Sequence, residues 1–257
     1  MMSSSSATYV YCIVSSRTPL STTHTPPGPP GTGDVRTLEV RPHRYAVVSD
    51  GPLDQFGERP LASHLSDLDW VSRAAVEHEA VVASFMPQCD AVVPMKLFTL
   101  FANDARALEQ LRAGWTRVER VIRRLAGHEE WGVRLVFDEH RAPADDTSTD
   151  ASSGRSYLLA KRRQQATAVA RTTNMRKVAG DVLKALRPLT KDERQRAIAT
   201  PPDSRSRLLL DAAFLVPRGK AVRFRTAATR HAKKVGPAGF ALQVTGPWPP
   251  YSFVDNA

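Results

Sequence analysis

Apolar positions along the chain repeat at two spacings, and the switches between them mark out the elements. In the stretch from Asp67 to Phe101, Leu68, Val71, Ala75, Val82 and Phe85 recur at helical spacing and form one apolar face. Ser66 fits as the N-cap, with Asp69 three residues on and acidic residues in the first turn. Pro87 ends that helix. Ala91 to Thr99 is apolar and β-favouring, which predicts a strand. Pro94 cannot donate to a ladder, so the strand belongs at a sheet edge or carries a bulge there.

Upstream, Tyr9 to Val14 reads as a short strand of aromatic and β-branched residues. Ser15 to Asp34 is rich in Pro, Gly, Ser and Thr, lacks periodicity and predicts a mobile loop. Val35 to Val40 and Tyr45 to Ser49 predict a hairpin around Pro42. Downstream, Leu108, Leu111, Trp115, Val118, Ile122 and Leu125 keep a three-four spacing through one helix from Asn103 to Ala126, with Gly127 just past its end. Trp131, Val133, Leu135 and Phe137 alternate, so Glu130 to Phe137 is a half-buried strand. Asp138 to Gly154 is acidic and Ser/Thr-rich and predicts a flexible loop.

The remaining pattern is a long basic helix from Tyr157 to Leu186, a weak strand from Glu193 to Thr200 and a strong one from Leu208 to Val216. A helix from Lys220 to Val235 and a strand through Phe240, Leu242 and Val244 complete it. From Trp131 onward this is the order β-α-β-β-α-β of the ferredoxin-like split βαβ. The fold class is therefore α+β in two domains. Residues 1–102 form an N-terminal α+β domain, 103–128 a connecting helix, and 129–257 a ferredoxin-like C-terminal domain with an extended aromatic and Pro-rich tail.

At 257 residues the chain has room for both domains. No apolar run approaches the roughly 18 residues of a membrane helix. The N-terminus has no basic region ahead of an apolar core, so no signal peptide is expected. Two cysteines, Cys12 and Cys89, are too few for a disulfide scaffold and fit small core residues in a reducing cytosol.

Charge is divided unevenly. Residues 1–154 hold 15 Lys and Arg against 20 Asp and Glu, net −5, whereas 155–257 hold 21 against 6, net +15. The basic half implies an acidic partner or a solvated basic face. Nucleic acid is the rival partner, through Lys161, Arg162, Arg163, Arg176 and Lys177. Against it, there is no helix-turn-helix turn, and the strands lack the aromatics that stack bases.

Candidate chemistry is sparse. Gly28, Gly31 and Gly33 have phosphate-loop spacing, but Asp34 and Val35 stand where that loop needs Lys and Ser/Thr. His78-Glu79 lacks the second histidine of a zinc helix, and His78 reads as a hydrogen-bonded core residue. There is no nucleophile elbow and no Cys/His metal spacing. Asp and Glu pairs fall in loops or on solvated helix faces and are given no acid–base role. The sequence therefore predicts no enzyme, cofactor, metal or small-molecule substrate.

The Trp70-led helix containing His78-Glu79, followed by Val92-x-Pro94-Met95-Lys96-x-x-Thr99... reads as a motif pair. Val92 and Val93 precede Pro94 in it, and Lys96, Leu97, Phe98 and Thr99 follow Met95. Further motifs are Glu130-Trp131-Gly132-Val133, Tyr157 to Arg163, Asp211 to Pro217, and Gly246-Pro247-Trp248-Pro249-Pro250-Tyr251-Ser252-Phe253-Val254. Together, in this order over Thr8 to Val254, they resemble the gas vesicle accessory proteins of the F/L family, which usually have Arg-Phe-Gly-Thr where this chain has Lys96, Leu97, Phe98 and Thr99. The resemblance implies a non-enzymatic assembly factor in the cytoplasm and on the gas vesicle. Its implied partners are the small apolar gas vesicle structural protein and other accessory proteins.

Two stretches are candidate partner contacts. The first is the strand residues Val93, Pro94, Met95, Lys96 and Leu97, with Lys96 as an edge charge that discourages self-pairing. The alternative is that the 103–126 helix covers this strand. The second is the tail, Trp248, Pro249, Pro250, Tyr251 and Phe253, which either folds back onto its own domain or serves as an adhesive arm.

Overall fold

The structure is a computed structural model, and it describes residues 6–141, 154–198 and 206–254. The chain forms two compact units. Met1–Glu129 joins Trp248–Ala257 in the first, and Glu130–Pro247 makes the second.

The first unit is built on β1 (Ser6–Ser15), buried from Ala7 onward. It pairs antiparallel with β3 (Arg44–Pro52), with β4 (Ala91–Pro94) and with the short β5 (Leu100–Phe101). β2 (Arg36–Arg41) lies outside β3, giving the order β2-β3-β1-β4. The β2–β3 hairpin turns at Pro42-His43, with His43 at φ 63°, as the proline predicts. The β1–β3 register slips between Val10 and Cys12. This bulge reverses the alternation of faces, so Cys12 and Val14 join the same core cluster as Tyr9 and Tyr11.

Two short helices, α1 (Leu53–Phe56) and α2 (Glu58–His64), follow; they have too few apolar repeats to be visible in the sequence. Phe56 of α1 reaches the Tyr9 ring, with centroids 5.8 Å apart. The central helix, α3, runs Leu68–Ser84. Its N-cap is Asp67 rather than Ser66: the carboxylate accepts from the amides of Asp69 at 3.0 Å and Trp70 at 3.1 Å. Its buried face is also rotated from the aliphatic one expected. Trp70, Ala74, His78, Val81 and Val82 face inward, while Leu68 is 78% exposed and Ala75 is exposed. The reason is Trp70, which stacks between His64 and Phe98 and turns the helix so that its own large surface is covered.

The strand expected over Ala91–Thr99 ends at Pro94, because Phe98 adopts φ 61° and turns the chain before β5. Pro94 does lie on the outermost strand of the path, where its missing N–H costs no central ladder bond. The helix expected over 103–126 is two, α4 (Asp104–Ala113) and α5 (Trp115–Leu125), broken at Gly114. Asn103 caps α4 by accepting from the Arg106 amide at 3.0 Å. Residues 103–128 were expected to connect two domains. Instead α4 packs on β2 and β1, and α5 packs on β4, all within the first unit.

The expected mobile loop at 15–34 is tied down. Gln88 exchanges hydrogen bonds with Ser21, and Gly28 and Pro29 are buried. A side chain at Gly28 would meet the Tyr11 hydroxyl, which is why glycine stands there. The glycine spacing is thus explained by packing.

In the second unit β6 (His128–Asp138), α6 (Gly154–Leu186), β7 (Asp192–Gln195), β8 (Ser206–Pro217), α7 (Ala221–Val235) and β9 (Phe240–Trp248) follow in turn. The sheet order is β7-β8-β6-β9. β7 is short and polar, which is why its pattern was weak. Val133, Leu135, Phe214 and Val216 of the strands meet Met175, Val182 and Leu186 of α6 and Phe224 of α7 in one core. Each such side chain contributes about 1.5–3 kcal/mol by leaving water. Most of the acidic 138–154 loop and the end of the 193–200 segment lie outside the described residues. Trp248 onward groups with the first unit rather than with residues 129–247, and Tyr251–Phe253 forms a 3-10 turn there.

Candidate functional site

Ile13 of β1 and Val93 of β4 are ladder partners. Beside them lies an apolar groove of about 530 Å³, contained in the first unit. The turn after β4 supplies Met95, Lys96, Leu97 and Thr99. α4 supplies Leu111, and α5 supplies Arg117, Val118 and Val121. Tyr251 and Val254 of the tail complete the lining.

The turn is held by a buried polar strut. The Tyr9 hydroxyl accepts from the Phe98 amide at 3.3 Å and lies 2.8 Å from His78 Nδ1. Tyr9 therefore donates to Nδ1, and His78 is the hydrogen-bonded core histidine expected from the sequence. Burial lowers its pKa from 6.5 to about 4, with the Met95 backbone carbonyl opposing. Met95 is also fixed directly, its amide donating to the Tyr11 carbonyl at 2.9 Å. On the tail, burial raises the Tyr251 phenol, and so does its hydrogen bond to the Glu79 carboxylate.

Both sequence-predicted stretches reach this groove, in altered form. Val93 and Pro94 are buried along with the whole of β4, against which α5 packs, so β4 offers no open edge. The accessible part is the turn: Met95 and Leu97 are half-buried and Lys96 is exposed. Lys96 thus lies beyond the strand, not on an edge. In the tail, Pro249, Pro250 and Phe253 are buried, Tyr251 is 36% exposed and Trp248 is 44% exposed. The tail is packed for most of its length, and Tyr251 and Val254 are its contribution to the groove. Arg117, Val121 and Leu111 were not singled out from the sequence. Their segment was read as a connector; the packing of α5 on β4 brings Arg117 and Val121 to the site, and that of α4 on β1, β2 and β5 brings Leu111.

The lining is mostly apolar, with two cations, one threonine hydroxyl and one phenol. Among the described residues no three His, Cys, Asp or Glu side chains come together to hold a metal ion. No helix of the described residues is long and apolar enough to cross a membrane. Two buried carboxylates, Glu130 and Asp211, lie on the strands of the second unit that the sequence predicts, and come together there. Arg196 approaches them at 3.7 and 3.2 Å, and Arg134 lies 3.2 Å from Asp211. This is an ion cluster across the second sheet.

The model of the family "Gas vesicle synthesis protein GvpL/GvpF" matches residues 7–255. Gas vesicle protein L of a Streptomyces species is 28% identical over 221 residues, covering 82% of this chain and 80% of that protein. Gas vesicle protein F2 of Halobacterium salinarum is 28% identical over 205 residues, 77% of each. Among solved structures, the gas vesicle protein GvpF of Anabaena superposes with a TM-score of 0.69 at 16% identity, covering 98% of both chains. That of Microcystis aeruginosa does so with 0.63 at 12%, covering 97% of this chain and 99% of the other. Both share the mixed helix-and-sheet fold.

Proposed function

Because the chain belongs to the GvpL/GvpF family of gas vesicle synthesis proteins, we propose that it is an assembly factor whose first unit holds the gas vesicle structural protein. The observation that carries this reading is the convergence of the Met95–Thr99 turn, α5 and the tail on one apolar groove. A shell subunit with one face destined for gas exposes a large apolar patch before assembly, and such patches aggregate. A groove of this size and lining covers apolar side chains, and cations at its rim fix their approach. Lys96 and Arg117 supply that rim. The second unit is read as a ferredoxin-like βαββαβ domain, supported by its element and strand orders. The protein acts without a cofactor, in the cytoplasm and on the gas vesicle, with other accessory proteins as further partners.

Co-expression with the structural protein, followed by separation of the soluble fraction and pull-down, tests this. The structural protein becomes soluble and co-purifies. Equal insolubility with and without this chain, and no co-purification, refutes the reading.

A further inference from the structure

The helices of the second unit carry a surface that the groove does not use. α6 and α7 hold thirteen Lys and Arg against one acidic residue, Asp181. From Lys161 to Ala170 every described side chain of α6 is exposed, Val169 at 67%. Among the described side chains of α6, the side that joins the core begins at Met175. At helical spacing, Arg162, Ala166, Val169, Ala170 and Thr173 share the side turned away from Met175, Val182 and Leu186, and Arg176 and Lys177 continue it. On α7, Val222 is 74% exposed and borders a shallow groove with Arg225, Arg230 and Lys233. The two helices pack beside each other.

A helix that is polar all round holds when opposite charges or a neighbour stabilise it. Arg171 has such a partner, Glu139 at 3.7 Å. Among the described residues no carboxylate pairs with Lys161, Arg162, Arg163, Arg176 or Lys177. Their mutual repulsion is relieved by negative charge brought from outside.

We propose that the outward face of α6 and α7 docks an acidic polypeptide segment with an apolar stripe. The proposal does not rest on the groove of the first unit. Charge complementarity supplies the acidic rows, and Val169 and Ala166 of α6 supply the stripe's counterpart. A phosphate backbone would engage the cations alone and leave these side chains without a role. Phe224 is the aromatic of α7, and it is buried rather than presented for base stacking.

The test is fluorescence anisotropy on the full-length protein at about 0.15 M salt. One probe is a labelled Glu-rich helical peptide of about 20 residues with a Leu stripe, long enough to match the exposed stretch. The others are polyglutamate of equal charge and a DNA duplex of similar length. The peptide binds about tenfold tighter than polyglutamate or duplex, a difference of about 1.4 kcal/mol. Replacing Arg162, Arg163, Arg176 and Lys177 together by Glu abolishes that binding. The single change Val169→Ser, which removes no charge, weakens the peptide about threefold or more and leaves polyglutamate unchanged. Tighter binding of the duplex overturns the proposal in favour of nucleic acid. Absent peptide binding, polyglutamate bound as tightly as the peptide, or unchanged binding by these variants overturns it as well.

Discussion

The Tyr9 hydroxyl stands 2.8 Å from His78 Nδ1, and both residues are nearly or wholly buried. The pair joins β1 to α3, and through the Phe98 amide it holds the turn that lines the groove. Its chemistry sets a pH dependence. Folded His78 titrates at about 4, against 6.5 when free. Between those values the unfolded chain binds more protons, so stability is full above about pH 6.5 and is lost as pH falls toward 4. The total loss from this group is about 3 kcal/mol. Urea midpoints at pH 7, 5.5 and 4.5 should fall in that order, and His78→Gln should flatten the trend. Tyr9→Phe leaves Nδ1 and the Phe98 amide without a partner and should cost about 1–3 kcal/mol at pH 7. An unchanged midpoint for Tyr9→Phe would refute the strut.

Phe98 occupies a position with φ 61° that glycine adopts without strain. The Arg-Phe-Gly-Thr pattern of the resembling family places glycine there, and the backbone explains it. In this chain the ring compensates by stacking on Trp70 at 5.3 Å. Phe98→Ala should therefore lose the stack while keeping the strain, and Phe98→Gly should lose the stack but relieve it. Thermal melts should rank Gly above Ala by about 1 kcal/mol. Ala equal to or above Gly would contradict this.

The regular pattern was legible in the sequence: the hairpin at Pro42, the edge position of Pro94 and the long basic helix. What was hidden depended on contacts between distant residues. The α3 face turned because Trp70 seeks His64 and Phe98. The bulge in β1 left no mark on an all-apolar run. For the groove, Val93 to Leu97 and Tyr251 were visible as candidates, but one continuous apolar spacing concealed the break at Gly114 and the docking of α5 on β4.

The tail should behave as a clamp at one residue and a bystander at another. Phe253 is fully buried, so Phe253→Ala should cost about 3–5 kcal/mol. Trp248 is 44% exposed, and Trp248→Ala should cost about 1 kcal/mol or less. Chemical denaturation separates the two, and equal effects would contradict the packing.

The glycine loop should bind no nucleotide. Calorimetry with ATP and Mg²⁺ should register no binding heat, whereas Gly28→Ala should lower the melting temperature because its methyl group meets Tyr11. Micromolar ATP affinity, lost on substitution of Gly33, would reverse the assignment.

The central claim is that the groove beside β4 covers apolar surface of the structural protein. The most direct measurement is light scattering as that protein is diluted from denaturant into the full-length chain or into its Val118→Asp variant. Val118 lines the groove and is half-buried, and circular dichroism verifies that the variant folds. The wild-type chain should suppress scattering at near-equimolar ratio, and the folded variant should not. Suppression by the folded variant equal to that of the wild type would contradict it.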